Sequence, residues 1–272
     1  MEFAKGHGTE NDFVIVPDPG GRLELTPEQV AALCNRRTGI GADGVLRVAR
    51  CQHAKWFMDY RNADGSIPEM CGNGLRVFAR YLVEYGLAAP GRFDVVTRAG
   101  LRSVELEMTG DVTADMGPAR VLGTSTAVIG DRRVEGLHIT VGNPHLACVV
   151  ESPVETFDLS TAPGVDIARF PDGVNVEVVR LIGDHCAEMR VYERGVGTTW
   201  SCGTGVVASA VAAARSVGEE YGEWEIRVPG GSLTVILNAE STYLRGPAVI
   251  VAEGKTSLLA DDGETEPSVA AA

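Results

Sequence analysis

None of the six cysteines, Cys34, Cys51, Cys71, Cys148, Cys186 and Cys202, forms a C-x-x-C pair, so neither a zinc ribbon nor a thioredoxin-type redox motif is indicated and no metal ligand set emerges. Lysine is scarce: Lys5, Lys55 and Lys255 lie in no recognisable Schiff-base context, which argues against pyridoxal phosphate. A basic surplus is missing too. Lys and Arg number 24 against 37 Asp and Glu, and the formal net charge of −13 repels phosphate backbones and anionic membrane surfaces. No nucleic-acid partner is expected. The start, Met1-Glu2-Phe3-Ala4-Lys5-Gly6-His7, lacks the basic and apolar regions of a signal peptide, and no stretch reaches the ~18 apolar residues of a membrane span. The expectation is a cytoplasmic protein with reduced thiols and no membrane partner. Cys34, Cys51, Cys148 and Cys186 then read as small buried hydrophobes.

With 272 residues, 44% of them hydrophobic and 22% charged, the chain has the composition of a packed globular protein of about two domains. It also repeats itself. Cys71-Gly72-Asn73-Gly74 and Cys202-Gly203-Thr204-Gly205 lie 131 residues apart, each opening a helical segment, and nine residues before the cysteines stand Asn62 and Glu193. Downstream, the segment from Ala99-Gly100-Leu101 pairs at the same offset with Gly230-Gly231-Ser232, and Gly117-Pro118-Ala119 recurs as Gly246-Pro247-Ala248. Asn11 precedes Asn143 by 132 residues. Several weak similarities at one offset indicate two similar halves.

The first helix, from residue 72 to about 85, places Leu75, Phe78, Leu82 and Tyr85 on one face, with Gly86 as its C′ residue. The second, from 203 to about 217, is apolar all round and must be enclosed on all sides. Short β-rich runs surround them at 13–16, 93–97, 103–108, 138–141, 146–150, 174–179, 188–192, 224–228, 233–237 and 248–252. Thr26-Pro27-Glu28-Gln29 predicts a capping box with proline at N1. The fold class is therefore α+β, with two similar domains, each a sheet wrapped round a helix. Residues 110–136 lack sustained periodicity and read as the inter-domain region, while the acidic segment 261–272 reads as a mobile tail.

A cysteine before a Gly-x-Gly helix start meets unpaired N–H groups and the positive end of the macrodipole, both of which favour the thiolate. The glycines let a carboxylate approach the same N–H groups. If two such starts face each other across a pseudo-twofold axis, a thiol lies on each side of a substrate's α-carbon, the arrangement needed to invert a stereocentre by general acid–base catalysis. A lone C-G-x-G reads as a helix start and no more; duplication favours chemistry. A redox pair of thiols is the other reading, and it explains the cysteines but not the polar residues around them.

The sequence resembles the diaminopimelate epimerases over nearly its whole length. The resemblance rests on Lys5-Gly6-His7-Gly8-Thr9-Glu10-Asn11-Asp12-Phe13, Gly39-Ile40-Gly41-Ala42-Asp43-Gly44, Asn62-Ala63-Asp64-Gly65 and Glu69-Met70-Cys71-Gly72-Asn73-Gly74 in the first half. In the second half it rests on Gly142-Asn143-Pro144-His145, Asn175-Val176, Glu193-Arg194-Gly195 and Cys202-Gly203-Thr204-Gly205. It implies a pair of pseudo-symmetric α+β domains, each a mostly antiparallel sheet round a central helix, with the active site in the cleft. The boundaries drawn from it are 1–122 and 123–249, the segment at about 250–260 returning to the first domain. The implied activity is cofactor-independent interconversion of LL- and meso-2,6-diaminopimelate, in the lysine and peptidoglycan precursor pathway, with a homodimer as the expected assembly.

By the same resemblance Cys71 and Cys202 are the acid/base pair, and His145 and Glu193 adjust their protonation or orientation. Backbone N–H groups at Gly72, Asn73, Gly203 and Thr204 bind the reacting-centre carboxylate; Asn11, Asn62, Asn143, Asn175, Glu193 and Arg194 recognise the remaining polar groups, Arg194 by a bidentate clamp. Gly44 stands where many members carry a substrate-contacting glutamine, so no contact is assigned there. Proline and hydroxyproline racemases also use two cysteines, but resemble C-G-H-G where this chain has Asn73, and their substrate has no second carboxylate for Arg194. A phenazine-type isomerase of this fold would need neither cysteine. A thiol redox sensor and a non-catalytic binding module are the readings from other classes.

Overall fold

The structure, a computed structural model, describes residues 1–51, 55–106 and 110–258. Residues 261–272, read as a tail, and the end of the run 103–108 lie outside the described residues. The first half contains β1 (Glu2–Gly8), β2 (Asn11–Asp18), α1 (Pro27–Cys34), β3 (Gly44–Ala49), β4 (Phe57–Asn62), α2 (Gly72–Glu84), β5 (Gly91–Thr97), β6 (Gly100–Leu106) and β7 (Val112–Gly117). There follow β8 (Arg120–Ile129), β9 (Arg132–Thr140), β10 (Pro144–Val149), β11 (Gly164–Val165), β12 (Asn175–Gly183), β13 (Cys186–Glu193), β14 (Gly197–Thr199), α3 (Gly203–Ser216), β15 (Gly222–Val228), β16 (Gly231–Leu237), β17 (Thr242–Gly246) and β18 (Val249–Lys255).

Strand pairing repeats from half to half. β2 runs parallel to β3, β3 antiparallel to β4, β4 parallel to β5, and β5, β6 and β7 follow antiparallel. In the same order β10 runs parallel to β12, β12 antiparallel to β13, β13 parallel to β15, and β15, β16 and β17 follow antiparallel. β18 pairs with β1 as β8 pairs with β9. The halves join where β7 meets β17 antiparallel, with Ala114 opposite Leu244 and Asp115 opposite Tyr243. Most pairs are antiparallel, and each half wraps its sheet round one helix, the fold class that the sequence implies.

α2 and α3 form where apolar spacing predicts them and end alike. Leu87 N–H donates to Leu82 O at 2.7 Å and Gly86 N–H to Val83 O at 3.1 Å; Glu219 N–H donates to Ala214 O at 2.9 Å and Gly218 N–H to Arg215 O at 3.2 Å. Each is a Schellman closure needing a left-handed residue, supplied by Gly86 at φ 64° and Gly218 at φ 80°. α1 opens with the predicted capping box: Gln29 N–H to Thr26 Oγ1 at 3.2 Å and Thr26 N–H to Gln29 Oε1 at 2.9 Å.

Three expectations need correction. α2 is not a one-faced helix, because residues 72–83 are all buried, Arg76 and Arg80 included; the wrapped sheet encloses it as fully as it encloses α3. Residues 110–136 hold β7, β8 and the start of β9, and β8 carries no strand alternation because only Ala127 and Ile129 are buried along it. Cys34 and Cys148 are buried, but Cys51 and Cys186 are only half-buried, Cys186 because it opens β13 immediately after the turn at His185.

Candidate active site

The two cysteines are the N-caps of the two central helices, both extended, Cys71 at φ −138° and Cys202 at φ −120°. The helix starts abut. A Cβ on Gly203 would lie 3.0 Å from Gly72 Cα and 3.2 Å from Asn73 N, so only glycine lets the backbones approach this closely. First-turn N–H groups have no partners within their own helices, and here two such sets converge on one space. Gly74 N–H donates to Cys71 Sγ at 3.3 Å, whereas Cys202 Sγ lies 3.5 Å from Thr204 Oγ1.

On the Cys71 side, Asn11 Oδ1 accepts from Asn73 Nδ2 at 3.2 Å and faces Cys71 Sγ at 3.9 Å, while Asn11 Nδ2 donates to Asp43 at 2.8 Å. Asn62, at the end of β4, accepts from the Tyr60 hydroxyl at 2.6 Å and donates to Ser66 Oγ at 2.9 Å. On the Cys202 side, Asn143 Nδ2 donates to Thr204 Oγ1 at 3.3 Å, and its Oδ1 lies 3.0 Å from His145 Nε2. The parallel register of β10 and β12 sets His145 opposite Asn175, so Glu177, two residues on, shares its face of the sheet. Its carboxylate lies 2.6 Å from His145 Nδ1, and both side chains are fully buried. Glu193 accepts from Thr199 Oγ1 and from the Cys202 thiol. Asn175 Oδ1 accepts from the backbone N–H of Arg194 at 2.9 Å; the Arg194 guanidinium reaches Asp172 O at 3.3 Å and the side chain is exposed.

The expectation that helix N-termini favour thiolates meets a larger opposing effect. Burial pushes the Cys71 thiol up to about 11, with the N–H groups of Gly74 and Asn73 opposing the rise and Glu193 adding to it. Burial lifts the Cys202 thiol well above its ordinary value, with Glu193 and Glu177 reinforcing the shift. Burial also raises the Glu193 carboxyl, against the hydrogen bonds from Thr199 and Cys202. Both thiols therefore hold their protons at neutral pH.

The sequence model of a family described as diaminopimelate epimerase matches residues 3–122 and 137–251. The chain belongs to that family. A diaminopimelate epimerase of Thermobifida fusca is 57% identical over 274 residues, covering 96% of this chain and 99% of its own length; that of Mycolicibacterium smegmatis is 50% identical, covering 94% and 96%. Among solved structures, a hydroxyproline epimerase from Agrobacterium vitis superposes with a TM-score of 0.67 at 16% identity, covering 93% of this chain and 91% of its own. A PhzF-family phenazine biosynthesis protein from Bacillus anthracis gives 0.71 at 14% identity, covering 93% and 98%. These two likenesses concern the fold.

In this diaminopimelate epimerase family member, the structure gathers Cys71, Gly72, Asn73 and Asn11 at one helix start and Cys202, Gly203, Thr204, Asn143, His145 and Glu193 at the other, with Asn175 bonded to the backbone of Arg194. Four neighbours escaped the sequence reading: Tyr60, Glu177, Ser201 and Arg76. Glu177 looks like an ordinary polar position in the run 174–179, and its burial shows only once β10 lies beside β12. Tyr60 stands next but one to Asn62, and that spacing was a usable signal. At Gly44 a Cβ would lie 2.5 Å from Arg61 O and 2.7 Å from the Tyr60 ring, so the backbone and Tyr60 leave no room for a side chain there.

Proposed function

We propose that this chain interconverts LL- and meso-2,6-diaminopimelate by passing protons between substrate and the Cys71 and Cys202 thiols, without a cofactor. The observation that carries the reading is the pair of cysteine-capped helix starts meeting backbone to backbone. Once one thiol has ionised, its thiolate takes the α-proton and becomes a thiol. The charge left on the substrate spreads into a carboxylate held by N–H groups at Gly72, Asn73, Gly203 and Thr204. The opposite thiol then returns a proton to the other face and becomes the thiolate. The inverted centre leaves with the two sulfurs having exchanged protonation states, so atoms and charge balance. Because the α-proton is barely acidic, the oriented N–H donors and the exclusion of water carry most of the barrier reduction.

His145, held between Glu177 and Asn143, and Glu193, hydrogen-bonded to Cys202, adjust the second thiol. Asn11, Asn62, Asn143, Asn175 and Arg194 recognise the substrate's other amino and carboxyl groups, Arg194 turning toward the far carboxylate. The same reading divides the chain at about residues 122 and 249, with β18 returning to the first half, and places the protein in the cytoplasm as a homodimer. Dimerisation is supported by β18, which exposes Val249 and Val251 and, among the described residues, pairs only with β1.

Reduced protein with LL-diaminopimelate in D₂O should exchange one α-proton and form the meso isomer, with neither change on proline. Cys71→Ala and Cys202→Ala should each lower kcat by at least about 10²–10⁴, the range typical of a lost general acid or base. Full activity in either variant would reject the two-thiol mechanism.

A further inference from the structure

Arg76 lies in the second turn of α2 and is completely buried. Its guanidinium is lodged between the β1–β2 turn and the end of β17: Nη2 is 3.4 Å from Thr9 Oγ1, a Cβ on Gly8 would come within 3.0 Å of Nη2, and one on Gly246 within 3.7 Å of Cζ. Among the described residues Nε and Nη1 have no hydrogen-bond partner and no carboxylate stands within ion-pair distance. A buried cation left unpaired destabilises a fold, and an apolar side chain of similar volume would suit the place better. The duplicated half shows that alternative. At the matching position of α3, 131 residues on, stands Val207, also fully buried. The charge at 76 therefore has a use other than holding the fold together.

The site it can act on is adjacent. Thr9 Oγ1 donates to Ser201 Oγ at 2.9 Å, Ser201 Oγ accepts from Asn73 Nδ2 at 3.1 Å, Asn73 Nδ2 also donates to Asn11 Oδ1 at 3.2 Å, and that oxygen faces Cys71 Sγ. We propose that Arg76 is a positioning residue for charge, the buried cation that favours Cys71 over Cys202 as the thiol that ionises first in the ligand-free protein. The inference rests on the two-thiol reading above. The charges of Arg76, on its own helix, and Glu193, on β13, act on Cys71 in opposite senses beside the N–H groups of Gly74 and Asn73, with the Tyr60 phenol of β4 within the same field; Cys71 and Asp111 act on Arg76. Glu193 and Glu177 of β12 both act against ionisation of Cys202, with His145 of β10 engaged by Glu177 and Tyr60 again within the field. The two thiols thus share Glu193, but Cys71 adds a cation that, among the described residues, is in no ion pair, and Cys202 adds a second carboxyl. On ionisation the thiol proton passes to solvent, and the sulfur's new charge is the one that Arg76 lacks in the resting protein.

The test is alkylation by iodoacetamide, in which the thiolate displaces iodide to form a thioether, followed peptide by peptide by mass spectrometry at pH 7.5, 8.5 and 9.5, below the Cys71 midpoint of about 11, in wild type, Arg76→Met, Arg76→Gln and Arg76→Lys. In this range the rate is proportional to the thiolate fraction, so a midpoint raised by about one pH unit slows alkylation roughly tenfold. The Cys71 rate should fall by about tenfold in Arg76→Met and Arg76→Gln and be restored in Arg76→Lys, the Cys202 rate should fall less, and Arg76→Met should melt no lower than wild type. A Cys71 rate unchanged in Arg76→Met, or an equal fall at Cys202, overturns the inference. Should the methionine variant fail to fold, Arg76→Gln, which removes the charge and keeps a polar side chain, carries the same comparison. Proton exchange by the wild type is read separately, so its absence would sink the two-thiol reading whatever the alkylation rates do.

Discussion

Burial sets the resting state of the Cys71 thiol at about 11, above the ordinary value of about 8.5 for a cysteine in an unfolded chain. The folded state thus keeps a proton that the unfolded state gives up. The corresponding stability is fully present below the unfolded value and is lost as pH rises through the folded one. Denaturant titrations at pH 8, 9.5 and 11 should show a decline that is shallower in Cys71→Ala than in wild type; equal declines would mean that the thiol is not insulated from water. The residues that could be read from sequence are those whose meaning lies in spacing: the two cysteines, their glycines, and the asparagines at matching offsets. Arg76 and Glu177 could not be. A charged letter inside an apolar segment denotes a solvent-facing position far more often than a buried one, and only packing tells the two apart.

The helices were the most legible elements, because apolar spacing, a capping box and a terminal glycine agree about where each begins and ends. Their C-termini give a direct check. Gly86 sits at φ 64° as the left-handed residue of its closure. Gly86→Ala should cost about 1–2 kcal/mol, the penalty for forcing a Cβ into that region, and lower Tm by roughly 2–4 °C per kcal/mol in a chain of this size. An unchanged Tm would show that the turn relaxes freely. Strands were legible where one face is buried, as in β15 and β16, whose buried positions alternate strictly. β8 was not, since only Ala127 and Ile129 are buried along it and no alternation marks the rest. The breadth of α2's burial was hidden as well: its arginines give it the look of an amphipathic surface helix, although Arg80 is satisfied within the fold by Ala248 O at 3.2 Å.

Across the whole molecule, the halves are tied together beside the thiols by the Asn73 amide, which donates to Ser201 O at 3.1 Å, Ser201 Oγ at 3.1 Å and Asn11 Oδ1 at 3.2 Å from a fully buried position. Asn73→Ala would strip a donor from three acceptors. Urea denaturation should then show a loss of about 1–3 kcal/mol with an unchanged m value, and kcat should fall as Asn11 is released. Unaltered stability would place the tie elsewhere. Duplication was visible as a repeated offset, but the spatial relation of the copies was not, since it depends on a strand pairing between residues more than a hundred positions apart.

That pairing has a further consequence. The residue 129 positions after Ala114 is Tyr243, and the residue 129 positions after Asp115 is Leu244; the ladder sets Ala114 against Leu244 and Asp115 against Tyr243, so exchanging the halves returns the same contacts. This is the signature of an isologous interface, the kind that joins two identical subunits, preserved here inside one polypeptide. Two separate copies of such a unit would be bound to remain alike, and each would present the same sulfur in the same surroundings. Joined end to end they became free to diverge, and an arginine in one helix opposite a valine in the other is a difference that no symmetric pair could sustain.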